Sequence, residues 1–154
     1  MTRYYKYAYR MTKYMQNDSA VYGCFLDASK AFDLVNHEIL FKRLMGRKLP
    51  TPVLRLLMAW YREQRMRVKW NQTLSEPFFV SNGVRQGGVL SPILFTVYMD
   101  YLLVQLKELG IGCHWNHHFA GVVCYADDLT LLAPSPSALR LMLQKCEQFA
   151  VLWS

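Results

Sequence analysis

Asp127 and Asp128 stand side by side between two mainly apolar runs, Val122-Val123-Cys124-Tyr125-Ala126 and Leu129-Thr130-Leu131-Leu132-Ala133. A strand sends successive side chains to opposite faces, so neighbouring carboxylates share a face only where the chain turns. The pattern therefore predicts an apolar hairpin, spanning about residues 119–132, whose turn is made by the acids themselves. A purely structural turn favours Asn-Gly or Asp-Gly, which accept positive φ at low cost. Two adjacent like charges are costly unless a cation is present, so the pair points to a metal site. A third acid, Asp27, ends the apolar run Val21 to Leu26, which reads as a buried strand with an acid at its mouth. If that strand pairs with the hairpin, three carboxylates converge at one edge of a sheet. Such an all-oxygen set suits Mg²⁺ better than Zn²⁺, and two ions held this way can activate a hydroxyl and stabilise a leaving pyrophosphate. Taken singly, any one of these acids is a capped strand end.

A second constellation is the run Asn82-Gly83-Val84-Arg85-Gln86-Gly87-Gly88-Val89-Leu90-Ser91-Pro92. A glycine-rich loop bearing Arg and Gln feeds a helix N-terminus, where close backbone approach, free amides and a guanidinium can receive phosphate or a base. By itself such a loop is often only a turn.

The elements that must hold these residues follow from period and punctuation. Residues 2–16 have no helix breaker and predict a basic, tyrosine-rich helix ended by Asn17-Asp18-Ser19. Asn36 can cap a helix to about Met45, and Pro50-Thr51-Pro52 opens another from Val53 to about Glu63. Arg65 to Trp70 alternates strictly and Pro77 to Val80 is β-prone, which predicts a hairpin about Asn71-Gln72 with one wet, basic face. A long helix to about Leu109 is expected after Ser91 as cap and Pro92 at its first position, closed by Gly110. Pro134-Ser135-Pro136-Ser137 caps a last amphipathic helix, Ala138 to about Leu152. The sum is an α+β chain, a small antiparallel sheet with helices packed on one face.

At 154 residues there is room for one domain with a real core, and a hydrophobic content of 53% with 19% charged residues excludes disorder. The net charge of +7 is concentrated: from Lys42 to Lys69 Glu63 is the lone acid among Lys42, Arg43, Arg47, Lys48, Arg55, Arg62, Arg65, Arg67 and Lys69. Arg3, Lys6, Arg10 and Lys13 are interleaved with five tyrosines. Cations mixed with aromatics suit a surface that meets phosphate and stacks bases, although a charge run is as often a solvated face. The 4 cysteines form no CxxC pair. Cys24, Cys124 and Cys146 read as core thiols of a reducing compartment, and Cys113 with His114, His117 and His118 lacks the second spaced half of a zinc site. No signal peptide or membrane-spanning run is evident, so a soluble intracellular protein is expected.

Taken together the motifs are specific. Phe25-Leu26-Asp27-Ala28-Ser29-Lys30-Ala31-Phe32-Asp33, then Gly83-Val84-Arg85-Gln86-Gly87 with Leu90-Ser91-Pro92, then Tyr125-Ala126-Asp127-Asp128 resemble, in order and spacing, the three core motifs of the reverse transcriptase palm. The wording is most similar to non-LTR (LINE-type) retrotransposon enzymes. The resemblance implies an RNA-directed DNA polymerase in which Asp27, Asp127 and Asp128 hold two Mg²⁺ ions, or Mn²⁺ in their place, with the Ala28 carbonyl as a further ligand. It implies that Phe32 packs beneath the deoxyribose and excludes a 2′-hydroxyl, and that Gln86 contacts the incoming nucleotide with Gly87 giving it room. Arg85 is placed near phosphate, Tyr125 and Ala126 under the primer end, and Arg65, Arg67 and Lys69 beside nucleic-acid backbone. The implied partners are an RNA template, a DNA primer and dNTPs.

In that family a longer fingers region precedes the first motif, and a primer grip and thumb follow the third. The expected organisation is thus a fingers remnant over residues 1–20 and an incomplete palm over 21–154. Fingers and thumb would come from a longer polyprotein or a separate chain. Positioning supplies most of the catalysis in phosphoryl transfer, so such a fragment is expected to be weak or inactive alone. The alternative is a non-catalytic, nucleic-acid-binding palm relic of a retrotransposon.

Overall fold

Two runs of mainly apolar residues, 22–27 and 128–133, form the two strands that carry Asp27 and Asp128, in a computed structural model that describes residues 20–28 and 30–151. The expected N-terminal helix lies outside the described residues. The chain falls into two compact units, one formed by residues 20–28 and 100–151, the other by residues 30–99.

The first unit holds an antiparallel sheet of β1 (Tyr22–Asp27), β8 (Val122–Tyr125) and β9 (Asp128–Ala133), in the order β1-β9-β8. The central strand β9 buries Leu129, Leu131, Leu132 and Ala133. β1 was expected to be buried, but it lies at the sheet's edge and is largely exposed, with Phe25 at 82%. The more apolar β9 occupies the centre instead. Helix α4 (Pro136–Val151) packs on β9 and β1, and the Ala138 amide is capped by the Ser135 hydroxyl at 3.2 Å. Cys146 on this helix is near enough to Cys24 for the two to interact, and burial pushes its thiol up to about 11. The Cys24–Leu131 side of the sheet therefore lies under α4, and alternation sends Phe25, Asp27 and Asp128 to the other side. Cys113 is followed by a small hairpin, β6 (His114–Trp115) with β7 (His118–Phe119). Its turn residues Asn116 and His117 both have positive φ, 44° and 65°, the requirement of a type I′ turn.

The second unit begins with α1 (His37–Gly46), where the Asn36 side chain accepts from the Ile39 amide as its cap. It continues with α2 (Thr51–Arg62), which carries Pro52 in its first turn. Leu40, Leu44, Leu57 and Tyr61 bury the facing sides of these helices. The hairpin that follows is interrupted. β2 (Arg65–Met66) pairs with β5 (Phe78–Phe79), and β3 (Lys69–Trp70) with β4 (Thr73–Leu74). Two residues, Arg67 and Val68, face three, Ser75, Glu76 and Pro77, so one extra residue shifts the register. Proline offers no amide to the ladder there. Both faces of this ribbon are exposed, not only the basic one.

Helix α3 (Ser91–Glu108) runs from the second unit into the first and stops before Gly110, whose φ is +67°. Ser91 does not act as its cap. Its hydroxyl is buried and donates to the Arg85 carbonyl, fastening the glycine-rich loop, while the Leu94 amide bonds the Leu90 carbonyl to begin the helix.

Candidate functional site

The pairing of β1 with β9 sets the acids. Asp27 lies directly opposite Asp128, and Tyr125 opposite Asp128 on the other side. The tight turn between β8 and β9 is Ala126-Asp127, not Asp127-Asp128. Asp128 is already the first residue of the central strand. The turn's strain falls on Ala126, which holds φ +52° where glycine or asparagine would sit without strain. Ala126→Gly is accordingly expected to raise stability by about 1 kcal/mol in urea denaturation, and an unchanged or lower midpoint would contradict this reading of the turn.

Opposed like charges destabilise an antiparallel pair, so an Asp27–Asp128 rung costs stability unless something else is gained. Asp27 and Asp128 are exposed and Asp127 is half-buried. Their field reaches Cys124, whose thiol is pushed up by burial and then by Asp127 and Asp128. Among the described residues, no three His, Cys, Asp or Glu side chains are drawn together tightly enough to form a ready metal-holding group, either at this sheet end or around Cys113. His114 instead bonds the Gly112 carbonyl through Nδ1 at 2.8 Å, and Cys113 is buried with its thiol pushed up by that burial.

In the second unit, the glycine-rich loop is laced to the turn over residues 30–34, which contains Phe32, and to the residues just after it. The Val84 amide bonds the Phe32 carbonyl at 2.7 Å, the Gly83 amide bonds the Val35 carbonyl at 2.8 Å, and Asn36 bridges Asn82. His37 Nε2 donates to the Gly83 carbonyl at 2.7 Å. Gly83 has φ +90°, and a Cβ there would stand 2.8 Å from the Asp33 carbonyl oxygen. At Gly87 a Cβ would meet open space, and its φ of +78° is one that favours glycine.

The half-buried Phe32 ring stacks on Phe95 with centroids 4.5 Å apart. Gln86 is exposed and its Nε2 donates to Asp33 Oδ1 at 3.0 Å. Asp33 was not singled out from the sequence. It is the last residue of the first motif, yet no spacing rule marks it as the partner of a glutamine 53 positions away. Arg85 is exposed and its charge reaches Tyr61, a buried tyrosine whose hydroxyl is pushed up chiefly by that burial. A groove of about 620 Å³ is lined by Asp33, Arg85 and Gln86 and also by Met66, Phe78 and Phe79 of the ribbon. Arg65, Arg67 and Lys69 stand exposed on that ribbon, with the Arg65 guanidinium 4.6 Å above the Phe79 ring.

No helix among the described residues is long and apolar enough to cross a membrane. The chain is 35% identical over 127 residues to a Pol polyprotein from the type-1 retrotransposable element R2 of Nasonia vitripennis, a match covering 82% of this chain. It is 33% identical over 124 residues to the corresponding polyprotein from the type-2 element R2DM of Drosophila melanogaster. A third relative, the RNA-directed DNA polymerase from the mobile element jockey of Drosophila funebris, is 29% identical over 140 residues. The matched segment spans 12% of the length of each R2 polyprotein and 14% of the jockey enzyme. Residues 3–154 match the model of one family throughout, and the chain belongs to that family, the reverse transcriptases (RNA-dependent DNA polymerases).

Proposed function

We propose that this chain is the catalytic palm of an RNA-directed DNA polymerase, which adds deoxynucleotides to a primer 3′-hydroxyl on an RNA template. The observation that carries the reading is the register that sets Asp27 against Asp128 with Asp127 in the adjoining turn. Family membership supports it. The donor chemistry fits a hard cation: three carboxylates reachable from solvent, an acidic rung that costs stability when bare, and the Ala28 carbonyl just past β1. When bound, Mg²⁺ or Mn²⁺ supplies activation of the attacking hydroxyl and charge neutralisation of the leaving pyrophosphate.

The remaining roles belong to the chain's own residues. Asp27, Asp127 and Asp128 hold the ions. Phe32, braced by Phe95, presents its ring beneath the deoxyribose and leaves no room for a 2′-hydroxyl. Gln86, steadied by Asp33, meets the incoming nucleotide over Gly87, and Arg85 lies near its phosphates. Tyr125 and the strained Ala126 support the primer end. Arg65, Arg67 and Lys69 contact backbone phosphate. The partners are then RNA template, DNA primer and dNTP, with the remaining polymerase segments supplied by a longer polyprotein or another chain.

The test is metal linkage followed by extension. Mg²⁺ or Mn²⁺ at ten times its Kd should stabilise the chain by about 1.4 kcal/mol in thermal unfolding. The shift should vanish when Asp27→Asn and Asp128→Asn are combined. Divalent-dependent extension of a DNA primer on RNA should accompany it once fingers and thumb are present. A midpoint indifferent to both ions would remove the metal-site reading.

A further inference from the structure

Besides the groove that contains Gln86, the second unit holds another of about 480 Å³, walled by α1, α2 and residues 79–81. Its floor is aromatic: Phe41 and Tyr61 are buried, with ring centroids 5.9 Å apart and edge to face. Met45 and Met58 add thioethers, which adapt to the shape of an apolar guest. Close-packed interiors seldom leave voids larger than a water molecule, and this volume is that of a small-molecule site. The charges around it are few and unequal. Glu38 and Lys42 line the groove as an ion pair at 2.7 Å, each satisfying the other. Arg62 lines it too, and has no ion-pair or hydrogen-bond partner among the described residues. One uncompensated cation beside an apolar floor complements a single negative charge on an apolar body. A nucleotide, with several charges, would be opposed by Glu38.

The same groove is built from residues that hold the glycine-rich loop. His37 lines it and bonds the Gly83 carbonyl. Tyr61 lines it and interacts through its hydroxyl with Ser91, which in turn bonds the Arg85 carbonyl. Phe79, Val80 and Ser81 wall both this groove and the one that contains Gln86. The loop therefore cannot lift away without disturbing the walls. We propose that the groove binds a small monoanion with an aromatic or aliphatic body, and that the bound ligand holds the glycine-rich loop closed on residues 30–35. Arg62 takes the anionic group, while Phe41, Met45, Met58 and Tyr61 take the body. This goes beyond the polymerase reading and needs neither metal ions nor nucleic acid.

The test is a fluorescence titration of the full chain in EDTA with 8-anilinonaphthalene-1-sulfonate, beside its uncharged analogue N-phenyl-1-naphthylamine. Arg62→Ala should weaken the sulfonate about 2–5-fold, most at low salt, and leave the uncharged dye unaffected. Arg55→Ala removes a charge of the same helix outside the groove and should change neither. Met58→Trp fills the groove and should weaken both dyes about 5–150-fold. Circular dichroism checks that it folds, and the exposed Arg62→Ala decides the matter if it does not. Met66, Val68, Trp70 and Phe78 share one exposed face of the ribbon, which offers the dyes a competing site. Binding lost in Trp70→Ser but kept in Met58→Trp overturns the proposal. So does sulfonate binding indifferent to Arg62→Ala, or the absence of saturable binding. With the sulfonate at ten times its Kd, exchange of the Gly83 and Val84 amides, which bond Val35 and Phe32, should slow about tenfold. Unslowed exchange overturns the hold on the loop.

Discussion

Asp127→Asn is expected to lower primer extension about a thousandfold or more, the scale on which phosphoryl transfer loses rate when a partner of the transition-state charge is removed. The assay would use a protein that carries this chain together with fingers and thumb. Asparagine keeps the shape and one oxygen of the side chain but not its charge. Asp127 sits in a two-residue turn and is half-buried, so the fold has little to lose. Stability should stay within about 0.5 kcal/mol of the original, as for other substitutions away from the core. Removing one of two adjacent negative charges also relieves repulsion at the sheet end. The informative comparison is Asp33→Asn, which removes an acid of the same motif but keeps an oxygen able to accept from Gln86. It should extend primers nearly as well. Full extension by Asp127→Asn would defeat the assignment of the acidic cluster, whatever the family.

Gly83→Ala is the change expected to harm the second unit most, by about 2–3 kcal/mol, which is the cost of a disfavoured backbone conformation compounded by a clash. The methyl group would meet backbone, the Asp33 carbonyl oxygen at 2.8 Å and its Cα at 3.0 Å, so no side chain can swing aside to admit it. Gly87→Ala serves as the control. It imposes a similar φ penalty in open space and should lose about 1–2 kcal/mol. Urea midpoints followed by tryptophan fluorescence report both, and equal losses would show that the close approach at Gly83 is not tight. A second readout follows from the lacing of the loop. If Gly83 moves, the bonds to Val35 and His37 are disturbed and Gln86 loses its fixed distance to Asp33.

Local signals in the sequence were read well where one residue decides the structure. Asn36 caps α1, Gly110 follows α3, and Ser135 caps α4, because each satisfies orphan groups within one turn of chain. The pairing of β1 with the acidic hairpin was legible because Val21 to Leu26 is a short apolar, strand-length run that ends in an acid. What could not be read was anything decided by competition between distant segments. Which strand takes the sheet's centre depends on whether 22–27 or 128–133 buries more, and that put β1 at the edge. The ribbon's register slip comes from Pro77 facing a strand ten residues earlier. Ser91 looked like a cap because serine before proline usually is one, but the Arg85 carbonyl was a better partner for its hydroxyl. The Gln86–Asp33 bond was invisible for the same reason: it joins two loops whose approach is set by Gly83.

Asp27 and Asp128 are neighbours in the ladder but stand about a hundred residues apart along the chain. A ribosome working at roughly 5–20 residues per second completes the second acid about 5–20 s after the first. The β8–β9 hairpin, closed by two residues, can form within microseconds of its synthesis. β1 must wait for it. Docking β1 closes a long loop, at an entropic cost of about 4 kcal/mol if the intervening chain were slack. A cation seated between these strands would act as a clip on that loop, tying the earlier-made strand β1 to the later-made hairpin. The acidic rung would then be both a chemical centre and a checkpoint, since it exists only once the chain has been synthesised through Ala133 and β1 has closed on β9.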